Sequence, residues 1–168
     1  MIMTLDEHTI AVVTAEFRRL KKLAEEAVAQ VQDRELATRL DPESNSIFTV
    51  MKHMAGNLRS RFADFLTTDG EKPDRNRDAE FEDEGARERS AMLADWESGW
   101  RTLFESLNAL PPSDLLRDVY IRGERHSVVQ ALNRALTHQA YHVGQIVFLA
   151  KHFRSEEWKT LSMPRKRR

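Results

Sequence analysis

His138 and His142 stand four residues apart in ThrHisGlnAlaTyrHisValGlyGlnIleValPhe, residues 137–148. In a helix this spacing places both imidazoles on one face, one turn apart. Two such rings can hold one metal ion, and Gln145 follows on the next turn of that face. A third imidazole, His53, lies in another helical segment, with Asn57 and Arg61 stepping along beside it. Three histidines from two helices give a metal three protein ligands and leave at least one position open, as a catalytic site needs.

HisXaaXaaXaaHis alone is a weak signal in a chain with six histidines. Burial is the stronger argument. His138 and His142 continue the row of Ala131 and Ala135, which points inward, and neighbouring buried imidazoles need partners to offset desolvation. Metal coordination satisfies both. A pair of core histidines bonded to carbonyls and waters does so too, and spacing alone leaves both readings open. No HisGluXaaXaaHis supplies a carboxylate beside the pair, and no GluXaaXaaHis pairs of a di-iron bundle are present.

Four segments carry the helical repeat that must position these groups. The first runs from about Leu5 to Gln32, with Ile10, Val13, Phe17, Leu20, Ala24, Ala27 and Val31 in its apolar stripe. Ser44 or Asn45 can cap the second, from about Ser46 to Leu66, which Gly70 should stop. Its apolar row is flanked by a second row containing His53, Asn57, Arg61 and Asp64. The third runs from about Arg87 to Asn108, where Trp96 and Trp100 read as core, and ends before Pro111 and Pro112. The fourth runs from Val128 to about Phe153 with Ser127 as its cap. The polar stretch 67–85 has no clear period and is long for a loop, with Phe81 as an anchor. Residues 119–126 carry β-branched and aromatic types around ArgGly, which reads as a short hairpin or an extended crossover. The expected fold is all-α: a four-helix bundle with long crossover connections, one domain over 1–160, and a basic tail at 161–168.

Composition narrows the functions. With 26 basic against 27 acidic residues there is no general affinity for nucleic acid, and the basic run 164–168 reads as a solvated end. With no cysteine, any metal is held by His, Asp, Glu or Gln, and any thiol chemistry needs a thiol from outside the chain. No apolar run reaches membrane-spanning length and the N-terminal stretch is not signal-like, so a cytoplasmic location is expected. Val12, Phe48 and Phe104 are apolar residues outside the main stripes.

The chain resembles the DinB-like, or YfiT-like, superfamily of bacterial metalloenzymes. The resembling segments are LysHisMetAlaGlyAsnLeuArgSerArgPheAlaAspPheLeuThrThrAspGlyGluLys at 52–72, AsnArgAspAlaGluPhe at 76–81 and ThrHisGlnAlaTyrHisValGlyGlnIle at 137–146. The resemblance implies a four-helix bundle, a homodimer, and a divalent metal (zinc, nickel or iron) on His53, His138 and His142. It implies thiol-dependent transferase or hydrolase chemistry, with a low-molecular-weight thiol or a water on the metal and a small-molecule substrate. Asn57, Arg61 and Gln145 are then candidates for orienting ligands or binding substrate. Arg61, Arg75 and Arg77 could hold a carboxylate; solvated surface charge is the plainer reading of all three. The competing expectation is a non-catalytic, metal-stabilised stress or interaction protein, with Asp64, Gln145 or a loop carboxylate as fourth ligand.

Overall fold

The computed structural model describes residues 2–82 and 88–163. The expected helix start at Arg87 and the basic run at 164–168 lie outside the described residues. The chain is largely helical, with helices α1 (Leu5–Val28), α2 (Asp33–Leu36), α3 (Ile47–Phe62), α4 (Arg89–Asn108) and α5 (Val128–Arg154). Strands β1 (Asp118–Ile121) and β2 (Glu124–Ser127) pair antiparallel just before α5. The fold is therefore not purely α, and the hairpin reading of 119–126 holds against the crossover.

Capping residues explain most helix boundaries. Thr4 Oγ1 accepts from the Glu7 amide at 3.2 Å, and Glu7 accepts from the Thr4 amide at 2.7 Å. This reciprocal pair starts α1. The helix ends at Val28 rather than near Gln32, because Gln32 is extended and opens the separate turn α2. Ser46, not Ser44 or Asn45, caps α3, its Oγ accepting from the Thr49 amide at 3.1 Å. Ser44 is bonded to Asp41 instead. α3 stops at Phe62, short of Leu66, since Ala63 turns extended and Asp64 takes a left-handed φ of 49°. Gly70 is not the stop; it docks on the hairpin, its amide donating to the Tyr120 carbonyl at 2.8 Å. Ser127 and Gln130 form the expected cap of α5.

The four long helices share one core. α3 packs on α4 and α5, and α1 packs on α5 and α4. α3 is the most enclosed, with Met51, Met54 and Leu58 on one side and the polar groups His53, Asn57 and Ser60 buried beside them. α4 comes so close that a Cβ on Gly99 would lie 2.8 Å from the Ala55 backbone. Trp96 and Trp100 are fully enclosed core residues, as expected. Phe48 and Phe104 pack against this core, whereas Val12 stays exposed.

The hairpin turns at Arg122 and Gly123, with φ of 56° and 74°. Two successive left-handed residues suit a tight antiparallel turn, and Gly123 takes its place without a Cβ penalty. A lone two-stranded sheet is marginal in water. Here Val119 and Ile121 are buried, and Asp69 binds the turn amides of Arg122 and Gly123 at 2.8 and 2.7 Å. The stretch after α3 is thereby fastened to the hairpin.

Candidate metal centre

α3 delivers His53, and one face of α5 delivers His138 and His142. Their ligand nitrogens all lie within 4.8 Å of one another, and His53 Nε2 is 3.2 Å from His138 Nε2. Nitrogens held at about 2.0–2.1 Å by a tetrahedral ion stand roughly 3.3 Å apart, so this edge is nearly formed. Among the described residues this is the one His, Asp and Glu cluster with that geometry.

Two of the rings are aimed from behind. Glu80 accepts from His53 Nδ1 at 2.8 Å. A carboxylate only accepts here, so the proton sits on Nδ1 and the Nε2 lone pair faces the other imidazoles. Gln145 Oε1 accepts from His142 Nδ1 at 3.0 Å and fixes that ring in the same way. Such partners orient metal-binding histidines. Phe81 lies with its ring centre 4.8 Å from that of His53, so the expected anchor of the polar stretch packs on the site itself.

Burial, followed by the nearby charges of His142 and His53, pushes the His138 pKa down to about 3. Burial also lowers His142, against the opposing bond to Gln145. Neutral imidazole is the form that ligates metals. Glu80 stays ionised: burial opposes this, but the bonds from His53 and Arg75 outweigh it and hold its pKa below the ordinary carboxylate value.

Arg75 grips Glu80 through two parallel bonds of 2.8 Å and reaches Glu71 at 3.3 Å. It is almost wholly enclosed and serves as a strut, not as a free anchor for a substrate carboxylate. Arg61 donates to the Gly70 carbonyl and to Glu71 Oε2 at 3.0 Å. Arg77 lies over the Phe81 ring at 5.1 Å. Asp64 does not join the histidine cluster. Glu80 and Gly56 are the residues the sequence reading missed. Gly56 makes room for the carboxylate, since a Cβ there would lie 2.2 Å from Glu80 Oε1. A glycine inside a buried helix, one turn from a candidate ligand, was the available signal.

A cavity of about 250 Å³ opens beside the cluster, with His53, Asn57 and Arg61 on one wall and Ala131, Ala135 and His138 on the other. Asn57 is buried, one turn from His53. The arrangement can bind an ion at three nitrogens and admit a small molecule from the cavity side.

A family described as "Protein of unknown function (DUF1572)" matches residues 5–167. The chain belongs to the DUF1572 family. The match covers every described helix and both strands, and so includes all three histidines and Glu80. No curated protein matches the chain.

Proposed function

We propose that this DUF1572 chain is a DinB-like four-helix-bundle enzyme that holds a divalent metal on His53, His138 and His142. The reaction class is S-transfer by a small external thiol, or hydrolysis. The observation that carries the reading is the convergence of three imidazoles beside a cavity. The donor set suits zinc, nickel or iron. Such an ion would supply Lewis acidity, lowering the pKa of a thiol or water bound to it. The protein's own contribution is orientation: Glu80 and Gln145 turn two rings, and Asn57 and Arg61 offer polar groups to a molecule in the cavity.

The rival reading is a metal that only stabilises the fold. Its candidate fourth ligand Gln145 is engaged with His142, which counts against it. Elemental analysis of untagged protein tests the centre: close to one ion per chain is expected, lost in His138→Ala. Chelation then separates the two readings. Metal-free protein that remains folded supports a catalytic centre; unfolding on chelation supports the structural one. Cobalt-loaded protein should develop a charge-transfer band with a small thiol, and its absence leaves hydrolysis, or no catalysis at all, as the better reading.

We also propose a homodimer. Val12 supports it together with Tyr141 and Phe148, both largely exposed and two turns apart on α5. Light scattering at micromolar concentration giving only the 19.5 kDa chain overturns this part.

A further inference from the structure

The cavity beside the histidines has an unusual wall. Five arginines line it (Arg61, Arg75, Arg77, Arg122 and Arg134), and no Asp, Glu or Lys does. The carboxylates that answer them stand behind. Glu71 alone takes bonds from Arg61, Arg75 and Arg122, at 3.0, 3.3 and 3.0 Å. Glu80 is committed to Arg75 and His53. Three guanidiniums thus share two ion-pair partners, with Asp69 acting on Arg61 from farther off, and it is the guanidiniums rather than the carboxylates that line the cavity.

The outer pair adds two more. Arg77 meets Asp78 at 3.7 Å and Arg134 meets Glu124 at 3.9 Å, and both carboxylates are strongly exposed. Exposed pairs of this kind contribute little. Arg122 gives Glu71 its Nε, and its side chain is half exposed. Burial lowers the Arg61 pKa, and the charges of Arg75 and Arg122 act in the same direction against Glu71. Guanidiniums that face a cavity are ready to meet an anion there, and their forks match oxyanions.

We propose that the cavity takes a small molecule bearing an oxyanion, held by Arg61 and Arg122, whose other end reaches the three histidines. Arg61 follows His53 by two helical turns on one face, with Asn57 between them. Eight residues of helix rise about 12 Å, which sets the scale of the span. Phe62, Phe65, Ile121, Ala131 and Ala135 add apolar surface to the lining. The ligand class is therefore a short, amphipathic organic anion rather than a neutral metabolite. This inference deepens the metalloenzyme reading, but its anion half stands on the arginines alone.

The test begins with metal-free protein titrated with adipate and with neutral adipamide, followed by NMR of the arginine Nε–H signals. Adipate should bind and adipamide should not, with Arg122→Gln weakening adipate at least tenfold. Arg61→Gln should do the same; because Arg61 also ties down Gly70, its fold is checked by circular dichroism, and Arg122→Gln decides if it is misfolded. Equal binding of the two ligands, or a folded Arg122→Gln protein that binds adipate like wild type, overturns the proposal. Zinc-loaded protein is then titrated with 6-mercaptohexanoate and 6-mercaptohexanol. A tenfold preference for the carboxylate, lost in Arg122→Gln, places the anion and the metal-bound end on one molecule; no preference overturns that linkage. Failure to take up zinc, with adipate binding intact, defeats the metal reading and supports the anion site.

Discussion

Glu80 reaches across 27 residues of sequence to accept the Nδ1–H of His53 at 2.8 Å. The bond turns a core histidine into an aimed one. Glu80→Gln should lower zinc affinity about 10–100-fold, the usual effect of losing such a partner. Competition against a chromophoric chelator measures it. Glu80→Ala should in addition lose several kcal/mol of stability, since Arg75 is left buried with only its longer bond to Glu71. Wild-type zinc affinity in a folded Glu80→Gln protein removes the orienting role.

Gly56→Ala makes a prediction of opposite sign to the usual rule. In an exposed helix the change gains about 1 kcal/mol. Here the new methyl would meet Glu80 Oε1 at 2.2 Å, so the carboxylate must shift, and with it the bond to His53. Thermal melting should show no stabilisation, and zinc affinity should fall as in Glu80→Gln. A stabilised variant with unchanged affinity is the contrary result.

Gly99→Ala probes packing without touching the site. Its Cβ would press on the Ala55 backbone at 2.8 Å, and backbone cannot swing aside as a side-chain tip can. Overpacking of this kind costs about 1–3 kcal/mol. The melting temperature should drop by roughly 2–12 °C, read by circular dichroism.

Asp69 should link stability to acidity. Its carboxylate accepts the amides of Glu71, Arg122 and Gly123 at 2.7–2.8 Å. Its slight burial opposes ionisation, but these bonds prevail and hold its pKa below the ordinary value. A depressed folded pKa means stability that is present above the unfolded value, about 3.9, and is lost as pH falls through the folded one. Asp69→Asn should cost about 1–2 kcal/mol near neutrality. That gap should close below about pH 4, as urea titrations at several pH values will show.

The three histidines were legible because helical geometry is local: a four-residue spacing fixes His138 against His142, and a stripe places His53 at the core edge. The hairpin was legible from ArgGly between β-branched residues. Glu80 was not, because it sits in a polar stretch without a period, and only the chain's return across α3 brings it to His53. Arg75 shows the same limit in reverse. Its sequence context allowed a free substrate anchor, whereas the fold gives both sides of its guanidinium to carboxylates. The start of α3 was read correctly at about Ser46, but its cap was assigned to Ser44 or Asn45, whereas Ser46 itself takes that role.

His53 and His138 are separated by 85 residues, so a growing chain makes the first long before the second. Until α5 settles on α3, an ion in solution meets single imidazoles or, at best, the pair on α5. On the proposed metal reading, three-point capture therefore begins only when α5 has settled on α3, so that loading follows folding in time.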